Sequence, residues 1–218
     1  MGHQAKLSKI DQNKYLSPGK LKRDIRTRKD RFRYLIVCEG EKTEPYYFEA
    51  LKKHLPKGIV DVDIIGAGAE TLRIVQIAKT KYLKSQRSAN PYDKVWVVFD
   101  RDSFPPADFD NAVHSAEANK FGSAWSNEAF ELWYLLHFEF RNTGMSRKKY
   151  KSALSSHLGE EYKKNDSDMY RKLKNHQEQA IRNAARLLAQ HIGTTPSQSN
   201  PATQVHLLVK ELNEYRVL

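Results

Sequence analysis

The chain predicts an α/β protein: four strands in a parallel sheet, helices between them, and a basic helical region at the end. Three observations carry this. Two apolar runs of strand length, Tyr34-Leu35-Ile36-Val37-Cys38 and Val95-Trp96-Val97-Val98-Phe99, are each cut off by acids, at Glu39 and Asp100. Runs of this kind, bounded by breakers, suit strands buried on both faces. Between and after them, strand-like segments alternate with stretches of helical spacing, as in βαβ units. Beyond Gly144 the strand signals stop, and Lys, Arg, Gln and Asn surround a helical pattern of Leu and Ile.

Taken in order, residues 1–32 read as a basic, flexible arm. Lys20, Lys22, Arg23, Arg26, Arg28, Lys29 and Arg31 crowd its end, and Tyr15 to Gly19 is turn-like. Such an arm can neutralise phosphates, or can be a disordered leader. A core follows over 33–145. Strand one ends at Glu39. Thr43 is a candidate N-cap and Pro45 suits a first turn, with Tyr47, Phe48 and Leu51 at helical spacing. Strand two runs from Ile59 to Ile65. A helix spans about Glu70 to Lys84, with Leu72, Val75, Ile77 and Ala78, until Asn90-Pro91 breaks the pattern. Strand three is Lys94 to Phe99. Pro105-Pro106 leads into a helix near Asp108–Asn119, and Phe121 to Ser126 forms a fourth strand. Ala129 to Phe138 is an apolar helix with one acid, Glu131. Residues 146–218 form a basic helical subdomain. Its last helix opens at Pro201, carries Val205, Leu208, Val209 and Leu212, and returns to the sheet.

The 218 residues suffice for one full core with an added lobe. No apolar run approaches the ~18–20 residues of a membrane helix. The N-terminus is polar, unlike a signal peptide, and Lys6 stands where myristoylation wants Ser or Thr. The single cysteine, Cys38, excludes an intrachain disulfide and a Cys-cluster zinc site. A cytoplasmic protein is the simplest expectation. Net charge is 37 − 26 = +11 and the pI is near 9.6, which fits a nucleic-acid partner.

Chemistry is expected where strands one and three end. Asp100 and Asp102 are two apart and share a side in extended backbone. Strand order 2-1-3-4 makes Glu39 their neighbour, at the switch point where open α/β sheets bind ligands. Carboxylates crowded there repel one another unless a cation intervenes. Mg²⁺ or Mn²⁺ suits such oxygen donors, and would serve phosphodiester hydrolysis. Arg101 can contact phosphate or pair with an acid. Glu131, an acid on an apolar helix, needs a partner: a metal or a buried salt bridge. Lys163 can stabilise phosphoryl charge or be one of many surface lysines. Thr203 reads as a helix cap, Cys38 as a buried strand residue and His137 as a packed histidine. Tyr34, Tyr46, Tyr47 and Trp125 can stack on bases, though core packing explains most of them better. Gly40-Glu41-Lys42-Thr43 lacks the first glycine of a phosphate-binding loop. Gly66-Ala67-Gly68 has Thr71 where a dinucleotide fingerprint has its third glycine.

Several motifs, in order, resemble the RloB-like proteins. They are Leu35-Ile36-Val37-Cys38-Glu39-Gly40-Glu41-Lys42-Thr43-Glu44-Pro45 with Tyr47-Phe48, and Tyr92 to Asp102. Ser126-Asn127 follows, with Phe130-Glu131-Leu132-Trp133 and Leu135-Leu136-His137-Phe138. Last come Tyr162-Lys163-Lys164 and Asn200-Pro201-Ala202-Thr203. The resemblance covers about residues 33–218. It implies membership of the Toprim superfamily, with OLD-type nucleases as relatives and a Rossmann-like sheet of four parallel strands. It also implies a Mg²⁺ site at Glu39, Asp100 and Asp102, with Glu44 as the candidate for the second glutamate of OLD-type enzymes. It further implies an AAA/ABC-type ATPase encoded nearby and a role in phage defence (abortive infection).

The leading expectation is therefore a Mg²⁺-dependent nuclease acting on DNA or RNA, with tRNA a candidate by analogy to other defence Toprim nucleases. The alternative is a non-catalytic nucleic-acid-binding partner of the ATPase. Strand joining ranks last, because no tyrosine nucleophile has sequence support. An oligomer is compatible with all three.

Overall fold

Consecutive apolar residues cannot all face one side of a strand, so runs like 34–38 and 95–99 demand cover above and below. The fold supplies it. The structure, a computed structural model, describes residues 31–101 and 105–216; the expected arm over 1–32 lies, up to residue 30, outside them. The strands are β1 (Phe32–Cys38), β2 (Val60–Gly66), β3 (Lys94–Asp100), β4 (Gly122–Asn127) and β5 (Ala202–Thr203). They lie in the order β2-β1-β3-β4-β5. The first four are parallel, and β5 is antiparallel to β4. The expected purely parallel four-stranded sheet is thus corrected to a mixed sheet of five.

The helices are α1 (Thr43–Lys52), α2 (Thr71–Ser85), α3 (Pro106–Ala118), α4 (Glu131–Leu135), α5 (Arg147–Leu158), α6 (Met169–Leu173), α7 (Gln177–Ala189) and α8 (Val205–Glu214). Strand parity sorts them into two layers. Tyr34, Ile36, Cys38, Trp96 and Val98 pack with α1, α4 to α8. Leu35, Val37, Val95, Val97 and Phe99 pack with α2 and α3 through Ile74, Val75, Phe109 and Val113. Asp100 has the parity of Trp96 and Val98, so its side chain enters the layer of α1 and α4. Gly122 pairs with Trp96, and the indole lies where a β-carbon would project.

Residues 147–214 share the first layer's core: Tyr150, Leu154, Tyr170, Leu187, Leu208 and Val209 join Tyr47 and Phe48 there. Three expectations near the helix ends are corrected. Thr43 lies inside α1 rather than capping it, and its hydroxyl donates to Asn165 Oδ1 at 2.7 Å. The helix expected over Ala129–Phe138 is α-helical only over Glu131–Leu135. The last helix begins at Val205, not Pro201, because Ala202 and Thr203 pair with β4 instead; Thr203 Oγ1 accepts the Val205 N–H. Tyr34, Tyr47 and Trp125 are buried core residues. Tyr47 makes edge contacts with Phe130, Trp133 and Tyr170.

Candidate metal centre

The site is built at the C-terminal ends of β1 and β3. Backbone pairing outlasts β1 by one residue on each side: Glu39 N–H donates to Val98 C=O, and its own C=O accepts from Gly68 N–H. The Glu39 side chain then turns to β3, where Oε2 accepts the Asp100 N–H at 2.9 Å. Asp100 points into the layer between α1 and α4. Its Oδ2 accepts the Phe130 N–H at 3.1 Å, while Oδ1 is buried without a hydrogen-bond partner among the described residues.

Two further acids face it from the flanking helices. Glu44 sits in the first turn of α1, where the amide dipoles favour negative charge. It is buried, and its Oε2 has no hydrogen-bond partner among the described residues. Gly40 makes this placement possible, because a β-carbon there would run into the Glu44 carboxylate. Glu131 opens α4 and accepts the Tyr162 hydroxyl at 3.1 Å.

Mutual repulsion is legible in the titration behaviour. Burial raises the Asp100 carboxyl well above the usual carboxylate range, and the charges of Glu44, Glu131 and Glu39 add to it. Burial also raises Glu44, with Glu131 acting in the same sense and Lys164 and Arg147 opposing. The Cys38 thiol is pushed up by burial and by Glu44 and Glu49, so it stays protonated and is no nucleophile.

A cleft of about 380 Å³ opens here. Gly40 to Glu44, Asp100, Phe130 and Glu131 line it, with Arg147, Lys164 and Asn165 on its basic side. The structure therefore brings together Glu39, Asp100, Glu44 and Glu131. Asp102, the remaining acid, lies outside the described residues. Lys163 is not at the cleft. It lines another recess with Glu160, Glu161 and Asp166, while its neighbour Lys164 lines both that recess and the cleft. Arg101 uses its N–H on Ser126 C=O. His137 and Thr203 are fully buried, the former against Trp133.

Chemically, buried oxygens with no donor, crowded by like charge, form a donor set suited to a hard divalent cation. Among the described residues no three acid, His or Cys side chains converge closely enough to chelate an ion as they stand. Sequence reasoning missed Arg147, Asn165 and the Tyr162 hydroxyl. Each comes from a segment far along the chain, and only the tertiary packing of α5 and the following loop brings it here. A family model described as RloB-like protein matches residues 34–212. No curated protein and no solved structure matches the chain.

Proposed function

The chain belongs to the RloB-like family, and from that premise we propose that it is a Mg²⁺- or Mn²⁺-dependent nuclease with a Toprim-like site. In this reading it is the cutting half of an ATPase-coupled phage-defence system in the cytoplasm. The observation that carries the reading is Asp100: a buried carboxylate with one oxygen unpartnered among the described residues, whose proton affinity is raised by burial and by three acids. A divalent ion, when bound, supplies an activated water and polarises a phosphoryl oxygen. Asp100 and Glu44 would hold it through Oδ1 and Oε2, with Glu131 and Asp102 as further donors. Glu39 holds the Asp100 backbone in place and presents its carboxylate at the same edge. Lys164 and Arg147 would orient the phosphodiester and offset its charge.

A second reading, a non-catalytic nucleic-acid-binding partner of the ATPase, draws on the absence among the described residues of three converged ligands. One experiment separates them. Purified protein is incubated with labelled DNA, RNA and tRNA and Mg²⁺ or Mn²⁺, with and without the ATPase encoded nearby. Cleavage that disappears with Asp100→Asn, with Glu39→Ala and with EDTA, while nucleic-acid binding persists, is the expected result. Cleavage indifferent to these changes sinks the hydrolytic reading. Binding with no cleavage under any condition favours the second.

A further inference from the structure

Between Thr71 and Tyr92 the chain carries five cations, Arg73, Lys79, Lys81, Lys84 and Arg87, and no acid. All five are exposed. The inner face of α2 is committed to the core through Ile74, Val75 and Ala78, so Arg73, Lys79, Lys81 and Lys84 occupy its outer surface, and Arg87 follows just past its end. Arg73, Gln76, Thr80, Lys81 and Lys84 follow helical spacing along one face and border a shallow groove of about 410 Å³. From Arg73 to Lys84 the stripe extends roughly 16 Å at 1.5 Å per residue.

No acid within the segment supplies counter-charge, whereas some cations elsewhere are paired: Lys151 with Glu161, Arg171 with Asp168, and Lys172 with Glu160 and Asp166. Among the described residues none of these five cations has an ion-pair partner, although unpaired like charges repel and cost stability. The stripe is also placed with respect to the acids. α2 follows β2, whose end is tied to Glu39 by the Gly68 N–H. Its first turn, with Arg73, is therefore at the sheet edge that carries the acidic cleft, and Lys84 is at the far end.

We infer that the outer face of α2 is a nucleic-acid backbone contact, along which a strand lies as it passes over the sheet edge toward the acids. The partner is a polyanion recognised by phosphate charge, with Gln76 and Thr80 as neutral donors between the cations. Such contacts set register and affinity and do not read sequence. The inference rests on the nucleic-acid reading above but not on hydrolysis.

The test measures binding of a labelled single strand and a labelled duplex to the full chain in EDTA, across about 50 to 200 mM salt. Arg73→Gln/Lys81→Gln/Lys84→Gln is compared with Lys52→Gln/Lys53→Gln/Lys57→Gln, which removes the same charge from the opposite edge of the sheet. Gln is a good helix former, so α2 is retained. The α2 triple is expected to lower the log–log salt slope by about 2–3, at ~0.7–0.9 per phosphate contact. Across that salt range the wild type then loses roughly 20- to 40-fold more affinity than the variant. The control triple leaves the slope within about 1 of wild type. Equal slopes for the two triples overturn the inference, as does a wild type that binds no nucleic acid. A defect confined to association with the ATPase also overturns it, giving this face to an acidic protein instead. A wild type that binds through α2 yet never cuts sinks the nuclease reading alone.

Discussion

Gly40 lies beneath the carboxylate of Glu44, so a methyl group there competes with that carboxylate for one volume. The sequence shows the Glu-Gly pair but not this reason for it, because the contact depends on α1 folding back over the end of β1. Glu39 and Asp100 were legible, since each ends an apolar run. Glu44 entered only through resemblance, and Lys164 was not singled out because a loop has no fixed side-chain period to say which of two adjacent lysines faces the cleft. Gly40→Ala is expected to push the Glu44 carboxylate out of the cleft while the fold persists, since the displaced group is a side-chain terminus. Divalent-ion affinity, measured by calorimetric titration with Mn²⁺, should fall by about 10- to 100-fold, the range typical of losing a supporting group at a metal site. Unchanged affinity would remove Glu44 from the proposed ligands.

Helix α4 shows how an element departs from its sequence pattern. Ten mostly apolar residues predict a long helix, yet the α-helical part ends at Leu135. The cause is tertiary. Asn183 donates to the Leu136 carbonyl and Gln179 to that of Phe138, and His137 and Phe138 close with tighter bonds to Tyr134 and Leu135. Partners on α7 thus take over the carbonyls that another helical turn would have used. The same packing buries His137, whose Nδ1–H donates to Trp133 C=O at 2.9 Å. Burial lowers its pKa to about 4, and nearby His176 acts in the same sense. A base with a depressed native pKa binds fewer protons folded than unfolded. Its stabilisation is therefore full above about 6.5 and is lost as pH falls toward 4. His206, buried beside Thr203 and also lowered to about 4, adds a parallel loss. Asp100 and Glu44, raised in the fold, act in the opposite sense. A difference between two proteins cancels these shared contributions. The stability advantage of wild type over His137→Gln, from urea unfolding, should shrink by about 2 kcal/mol between pH 7 and pH 5, at ~1.4 kcal/mol per unit below 6.5. Parallel losses in both proteins would mean that His137 titrates normally.

On the scale of the whole molecule, the order β2-β1-β3-β4 was readable as the doubly wound order of an alternating α/β chain, and it sets Glu39 beside Asp100. The two-residue β5 was not, since so short a segment has no period to detect. This topology gathers acids whose ionised forms work against the fold. Native carboxyls raised above their unfolded values contribute stability below pH ~4 and lose it as pH rises through the native value. At neutral pH the metal-free protein therefore bears an electrostatic cost at Asp100 and Glu44 that a divalent cation would relieve. Two melting experiments follow from the one argument. Without divalent ions, Asp100→Asn should melt above wild type at neutral pH, with the gap closing as pH falls toward 4. With Mg²⁺ or Mn²⁺ at about 100 times Kd, wild type should gain about 2.7 kcal/mol. For a chain of 218 residues that is a rise of roughly 5–11 °C, reversed by EDTA. The variant should gain little, because its amide supplies a weaker donor and no charge. Equal metal-induced shifts in the two proteins would place the ion away from Asp100, and the acids would then need some other reason to be buried together.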